Sequence, residues 1–289
     1  MRFLRLWFDH LGKKVRGMKT LKRILYPICA LVILFSGWKL WEMKAARDRT
    51  EALYTELAAL RDTDTDLDTD ANPGAADVEA AKDAANPWLL TLRQQNPELA
   101  GWLCIPGTKI DYPVMQTAED NDFYLTHDFQ REENAHGAPF LDVNCRIGAS
   151  ENLIIYGHHM KDGTMFRDLM LYKNADFCES NGTIEFDTPE QSAQYQVIFV
   201  MLLSAKNAED FPYYQYTDLS DEADYREFLE NCGKYARWQS EDAMDESAAA
   251  GGLLTLSTCE YSHRDGRLVV VARSSLLSTK TLDRHFSIW

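Results

Sequence analysis

The feature that most constrains this fold is a succession of short β-strand signals after residue 100. Each signal is rich in β-branched, aromatic or other apolar residues, and Gly, Pro, Asn or Asp bounds most of them. Eight short strands with few helices between them predict a mainly β fold, as a closed barrel or a sandwich. The eight segments are Trp102–Pro106, Ile110–Met115, Ala138–Val143, Asn152–Gly157, Thr183–Asp187, Gln194–Ser204, Leu253–Cys259 and Arg267–Arg273.

Helical patterns precede and interrupt these strands. Asn86 and Pro87 are typical of a helix start, with Pro at the first helical position. A second short helix is predicted over 96–101. Between the sixth and seventh strand segments, apolar residues spaced i, i+3, i+4 and i+7 predict an amphipathic helix over 220–237.

An apolar run of 18 residues, Ile24–Trp41, lies near the N-terminus. This length is at the lower limit for a membrane-spanning helix. Residues 1–23 carry a net charge of +7, whereas the rest of the chain carries −22, within a total of −15. Because basic flanks stay in the cytoplasm, the sequence predicts a single-pass cell-membrane protein with everything after Trp41 outside. A cleaved signal peptide and a buried helix are the alternatives.

The composition and the linker exclude two kinds of binding function. The strongly acidic composition argues against a general nucleic-acid-binding protein. Alternating aspartates after residue 61 suggest a calcium loop, but Leu67 and Pro73 stand where an EF-hand needs Gly and Glu, so a solvated linker is favoured. The sequence predicts an organisation in five parts. They are a basic segment 1–23, a transmembrane anchor 24–41, a helical stalk and acidic linker 42–84, a folded catalytic domain 85–275 and a tail 276–289.

Cysteines are candidates for chemistry, and there are six of them, at 29, 104, 145, 178, 232 and 259. Their spacing fits no zinc motif. Cys104 and Cys232 lie on apolar faces typical of a core, and whether Cys145 and Cys178 pair is left open. Cys259 ends a strand segment just before a polar loop, which allows either a reactive thiol at a rim or another buried core cysteine.

A nucleophilic thiol needs a base or a cation beside it. His158 directly follows the segment Asn152–Gly157, so it lies at a strand end as Cys259 does, and His263 is its local competitor. Arg267 opens the last strand after a hairpin, which places its guanidinium beside the thiol, although an edge arginine paired with an acid is the alternative. His127 and His285 are more typical of surface or hydrogen-bonded histidines, and the other candidates are His136 and His159.

Together these segments resemble the sortase family, and class B most. The match covers roughly Asn86 to Arg273 and rests on NPELAGWLCIPGTKIDYPVMQ, DNDFYLTHDF, NLIIYGHHMKDGTMF, LLTLSTCEY and GRLVVVAR, in that order. The resemblance implies a closed eight-stranded barrel with N-terminal helices and one helix between strands six and seven. It also implies that His158 is the general acid and base, Cys259 the nucleophile and Arg267 the oxyanion or substrate stabiliser. Class B members usually carry Asn where this chain has His159, so a shared role for His159 stays open.

The resemblance implies a cysteine transpeptidase of the outer face of Gram-positive membranes. Such enzymes cleave a C-terminal sorting motif of secreted proteins through a thioacyl intermediate. They pass the acyl group to an amine of a cell-wall peptide or a pilin, and this chemistry requires no metal or cofactor. Two alternatives remain, a membrane-anchored cysteine peptidase with water as acceptor and a non-catalytic surface or pilus-associated protein. Papain-like peptidases are disfavoured because their Cys precedes their His in the chain.

Overall fold

The structure, a computed structural model, describes residues 2–63, 86–118, 120–204, 211–245, 252–261 and 266–275. Side chains are described from Tyr26 onward within these ranges, except at 62 and 63. The chain divides into two compact units, Met1–Arg49 and Thr50–Trp289. Most of the predicted acidic linker, the tail 276–289, His263 and His285 lie outside the described residues.

The first unit lies in helix α1, which runs from Arg2 to Thr63. Among the described residues, no helix is both long and apolar enough to cross a membrane. The predicted single-pass cell-membrane protein, with a membrane anchor at 24–41, is therefore wrong. The side chains of the apolar run are described from Tyr26 onward. Lys39 interrupts the run, and Glu42 follows its end. That stretch is shorter than the about 20 apolar residues that a spanning helix needs.

The second unit is built on nine strands. Eight of them form a closed ring in the order β5-β1-β2-β3-β4-β8-β9-β6, which the β5–β6 pairing completes. This ring confirms the predicted eight-stranded barrel. Two pairings are parallel, β2 with β3 and β4 with β8. The strands are β1 Leu99–Cys104, β2 Asp111–Met115, β3 Phe140–Leu141, β4 Asn152–Gly157, β5 Thr183–Asp187, β6 Ser192–Leu203, β7 Ala236–Gln239, β8 Leu253–Glu260 and β9 Gly266–Ser274.

Strand β6 is the longest, with 12 residues, and its two halves have different neighbours. Its first half, Ser192–Gln196, pairs with β5, whereas Phe199–Met201 pairs with β7. Strand β9 follows its other edge from Tyr195 to Leu203. The sequence did not predict β7, because its four residues alternate between partly buried and exposed and carry little apolar signal.

Helices lie around the barrel, and those at Pro87–Gln95 and Glu222–Tyr235 are in predicted places. They are α2 Pro87–Gln95, α3 Ala175–Ser180 and α4 Glu222–Tyr235, with 3₁₀ helices at Phe123–Leu125, Phe166–Lys173 and Tyr213–Gln215. The predicted second helix at 96–101 is wrong, because β1 already begins at Leu99. Asn96 is buried there, and its amide donates to the Phe129 carbonyl at 2.7 Å.

Two hydrophobic cores cover both faces of β9. Leu268 and Val270 belong to the core inside the barrel. Val269 and Val271 belong to a second core with Phe228 and other apolar residues of α4. A strand buried on both faces reads as a continuous apolar run, which explains the sequence LVVVA in β9.

The last turns of α1 pack on the barrel. The predicted stalk helix is present there, and from Thr50 onward its apolar face is buried, with Tyr54 and Leu57 in the barrel core. The Tyr54 hydroxyl donates to the Gly137 carbonyl at 2.9 Å. Near its end, Arg61 forms two hydrogen bonds to the Asp111 carboxylate, at 3.2 and 3.3 Å.

Asp111 generates a prediction about stability. Its Oδ1 also accepts the indole N–H of Trp102 at 2.6 Å, and Trp102 is 1% exposed. In Asp111→Ala this buried donor loses its acceptor, so we expect the free energy of unfolding to fall by about 1–3 kcal/mol. Asp111→Asn keeps an oxygen for the indole and should lose less. Urea unfolding measures both, with Asp122→Ala at an exposed carboxylate as the control. Equal losses in the two alanine variants would contradict the expectation.

Candidate active site

A parallel strand pair brings His158 and Cys259 to the same edge of the barrel. Strands β4 and β8 run side by side, and their register ends with Gly157 opposite Thr258. His158 directly follows Gly157, and Cys259 directly follows Thr258. The two residues therefore occupy adjacent positions at the ends of the two strands. The Thr258 hydroxyl donates to the Gly157 carbonyl at 2.7 Å, which fixes the two strand ends together. Both side chains are partly exposed to solvent.

Glycine at 157 allows the chain to turn tightly after β4. A Cβ at this position would lie 2.5 Å from Cγ of the Phe166 ring. Phe166 comes back to this point because its backbone N–H donates to the His158 carbonyl at 2.8 Å. The residue before His158 therefore has to be small for the loop 158–166 to close.

Arg267 lies beside Cys259, as its position after the hairpin predicts. The two residues are direct partners in the antiparallel register of β8 and β9. Arg267 Nη1 lies 3.4 Å from Cys259 Sγ, within hydrogen-bond distance for sulfur. The guanidinium therefore contacts the sulfur itself, and the alternative of an arginine held away from the thiol by an acid does not describe this geometry.

A backbone carbonyl sets the tautomer of His158. The ring Nε2 lies 2.7 Å from the carbonyl oxygen of Leu125. A carbonyl only accepts, so Nε2 carries a hydrogen and donates it. In this tautomer of the neutral ring, Nδ1 carries no hydrogen and can accept a hydrogen bond. The motif DNDFYLTHDF contains Leu125, but sequence reasoning assigned it no role because its contact is made by the backbone.

His159 also contacts Cys259, but through the main chain. Its Nδ1–H donates to the Cys259 carbonyl at 2.9 Å, and its ring lies 4.9 Å from the ring of Tyr261. Partial burial lowers the pKa of His159 below its usual value, and the bond to the carbonyl offsets only part of that effect. His159 is thus a neutral donor to the backbone at neutral pH.

The other thiols of the second unit have pKa values too high for a nucleophile at neutral pH. All six cysteines are free, and Cys145 and Cys178 hydrogen-bond to backbone groups instead of to each other. Burial raises the pKa of Cys145 to about 12, and burial is also the main cause that raises the pKa of Cys104 and Cys178 to about 11. Complete burial raises the pKa of Cys232 well above its usual value. These thiols remain protonated at neutral pH.

Two further contacts at the edge were not predicted. The Tyr213 hydroxyl and Ser257 Oγ form a buried hydrogen bond of 2.7 Å. Lys173 forms an ion pair with Glu260 at 2.9 Å, and the Glu260 side chain is 7% exposed. Ser257 and Glu260 flank the Thr258–Cys259 pair, so these contacts hold the strand segment that carries the thiol.

The remaining candidate histidines, His127 and His136, contact other residues. His127 stacks on the ring of Phe123 at 3.9 Å, and His136 pairs with Asp162 at 2.7 Å. In the described parts of the chain, no group of three or more His, Cys, Asp and Glu side chains is arranged to hold a metal ion.

Comparison with known proteins identifies the family. The family model described as the sortase domain matches residues 103–275. Sortase B of Listeria monocytogenes is 32% identical over 249 residues, which cover 83% of this chain and 90% of that protein. The structure resembles a Staphylococcus aureus sortase B–substrate complex, with a TM-score of 0.64, 30% identity and coverage of 82% of this chain and 99% of that one. It also resembles a sortase B complexed with triglycine, with a TM-score of 0.63, 29% identity and coverage of 81% and 99%. The chain therefore belongs to the sortase family, class B, whose members are cysteine transpeptidases.

Proposed function

We propose that this enzyme cleaves a C-terminal sorting motif of secreted proteins and transfers the acyl group to an amine. Cys259 is the nucleophile, His158 the general acid and base, and Arg267 the group that stabilises the oxyanion or orients the substrate carbonyl. The observation that supports this proposal most directly is the 3.4 Å contact between Arg267 Nη1 and Cys259 Sγ. It places a permanent positive charge and a pair of planar donors beside a partly exposed thiol.

In the first step, the Cys259 sulfur attacks the carbonyl carbon of the scissile peptide bond as a thiolate. A C–S bond forms, and the negative charge moves to the carbonyl oxygen, where the Arg267 guanidinium can donate to it. The tetrahedral intermediate then collapses, and the C–N bond breaks. His158, protonated on Nδ1, gives that proton to the leaving amine, and the acyl group stays on sulfur as a thioester.

In the second step, an incoming amine attacks the thioester. His158 takes a proton from the amine, a new C–N bond forms, and the C–S bond breaks to return the thiolate. The same imidazole therefore acts first as acid and then as base, which the contact from Nε2 to the Leu125 carbonyl supports by leaving Nδ1 for both transfers. No metal or cofactor takes part in this sequence.

The acceptor is proposed to be the amine of a cell-wall peptide or a pilin. Support for a peptide substrate and for a glycine amine comes from the two solved relatives, one complexed with a substrate and one with triglycine. In the alternative, water attacks the thioester and the enzyme acts as a cysteine peptidase.

Replacing the proposed nucleophile tests the reaction directly. We expect Cys259→Ala to form no acyl-enzyme and no ligated product with a sorting-motif peptide library and triglycine, because burial raises the pKa of the other thiols of the second unit and keeps them protonated at neutral pH. Cys145→Ala, which removes a buried thiol, should retain activity. Mass spectrometry of the enzyme and of the peptide products provides the measurement.

Two outcomes of that experiment would overturn the proposal. Ligation by Cys259→Ala would show that the nucleophile is misassigned. Wild-type enzyme that yields the same hydrolysed peptide with and without triglycine would show that water, and not an amine, is the acceptor.

Conservative substitutions distinguish the roles of the two neighbouring histidines, His158 and His159. His158→Gln keeps an N–H for the Leu125 carbonyl but cannot carry a proton, so we expect kcat to fall by about 10²–10⁴-fold. His159→Asn keeps an N–H near the Cys259 carbonyl and should lose less than about tenfold, or about 1.4 kcal/mol. Steady-state kinetics of peptide ligation compares them. Equal losses in both variants would contradict the assignment of His158 alone.

The role of Arg267 depends on its fork of donors and not only on its charge. We expect Arg267→Lys to lower kcat/KM by about 10²–10³-fold, the usual cost of removing an oxyanion donor. The matched control is Arg93→Lys, at an arginine that pairs with Glu190 at 3.1 Å on another part of the fold. The rate of acyl-enzyme formation in single turnovers measures both. Full activity of Arg267→Lys would reduce the role of this residue to that of a point charge.

A further inference from the structure

The loop that carries His158 is closed on itself. The Phe166 N–H donates to the His158 carbonyl at 2.8 Å, and His159 and Met165 form an isolated antiparallel bridge. Near the tip, Asp162 Oδ1 accepts the Thr164 hydroxyl at 2.7 Å. Hydrogen bonds thus close both the base of this loop, next to His158, and its tip, at Asp162.

The closed loop contains a strained residue. Met165 has a φ of 54°, which side chains other than glycine adopt at a cost, and it is 1% exposed. Such a conformation is strained and persists only where the surrounding structure holds it. The contacts that hold this loop from outside are therefore part of its conformation.

One of these contacts is a histidine that the proposed chemistry does not use. His136 is 4% exposed, and its Nε2 lies 2.7 Å from Asp162 Oδ2. Partial burial acts to raise the pKa of Asp162, but hydrogen bonds from His136 and Thr164 outweigh it and lower that pKa. Asp162 is therefore ionised at neutral pH, and the Nε2–H of His136 donates to a carboxylate.

The other side of the His136 ring is held as well. Asn134 Oδ1 accepts the backbone N–H of His136 at 3.0 Å and lies 3.3 Å from its Nδ1. The amide nitrogen of Asn134 donates to Asp128 and to Thr50 of α1, at 3.3 and 3.0 Å, which fixes the orientation of the amide. The imidazole therefore lies between two oxygen atoms, Asn134 Oδ1 and Asp162 Oδ2, and its shorter contact is the one to Asp162.

The segment 123–138 contacts the catalytic loop at two points. It supplies the Leu125 carbonyl to the His158 ring, and it supplies His136 to Asp162 at the loop tip. The same segment is fastened to α1, because the Tyr54 hydroxyl donates to the Gly137 carbonyl. The His136–Asp162 contact therefore ties the loop of His158 to a support that continues into α1.

We propose that His136 and Asp162 are positioning residues for catalysis, and that their contact holds the loop 158–166 so that the His158 ring meets the Leu125 carbonyl. The inference rests on the proposed role of His158. Without the contact, the loop would sample orientations in which the His158 ring leaves the Leu125 carbonyl. This would slow the proton transfers and leave the binding of the sorting peptide intact.

Kinetics of Asp162→Ala and His136→Phe tests the inference. Each should lower kcat for peptide ligation by about tenfold, equivalent to about 1.4 kcal/mol, with KM for the peptide changed less than about twofold. The double variant should lose no more than either single one, because both remove the same contact. His136→Gln, which offers an N–H near the position of Nε2, should recover most of the rate. Asp162 has a side chain that is 28% exposed, so its alanine variant is expected to fold even if His136→Phe does not.

Asp168→Asn is the matched control, since this carboxylate follows the same loop but accepts the backbone N–H of Lys109 at 2.9 Å. The inference is overturned if Asp162→Ala ligates as fast as this control. It is also overturned if kcat and KM change together with the melting temperature and His136→Gln restores nothing, as a structural role predicts. Wild-type enzyme that forms no acyl-enzyme in the same assay would instead overturn the proposed function.

Discussion

The parallel pairing of β4 and β8 is the constraint on which the site depends. It brings together residues 101 positions apart, because His158 and Cys259 each follow the last paired residue of their strand. Side chains alternate between the two faces of a strand, so a slip of one residue in this register would send one of the two side chains to the opposite face. The antiparallel pairing with β9 then adds the guanidinium at the same end. Two segments that are distant in the chain, β4 and the consecutive strands β8 and β9, thus meet through hydrogen-bond register.

Burial on both sides makes that register stable. Strands β8 and β9 lie between the barrel core and the second core under α4, so neither strand can shift without moving apolar side chains on two faces. The loops at the strand ends have no such double cover. The loop 158–166 is held by individual polar contacts instead, such as the bond from the Phe166 N–H to the His158 carbonyl and the contact of His136 with Asp162. The rigid strands set the distance between sulfur and guanidinium, and the loops set the orientation of the imidazoles.

Most of the barrel and the placement of Cys259 and Arg267 could be predicted from the sequence, because short apolar strands and a hairpin between them leave a clear local pattern. The resemblance to sortases then selected His158 over its neighbour. Contacts made by the backbone, such as the Leu125 carbonyl, leave no such pattern, and neither does the pairing of His136 with Asp162, since it depends on tertiary approach of two loops. Strand β7 was not predicted because its four residues carry little apolar signal. The membrane prediction was wrong because a short apolar run next to basic residues was given more weight than its length allowed.

The division of β6 between two neighbours has a consequence for solubility. Where the second half of β6 leaves β5, the barrel wall would present a row of unsatisfied amide and carbonyl groups along that edge. Exposed edges of this kind recruit strands from other molecules and lead to aggregation. Strand β7 covers this gap over Phe199–Met201, and it is short and carries Arg237, two features that discourage further strand addition. The insertion of α4 and β7 between two barrel strands thus protects the wall at the place where it splays.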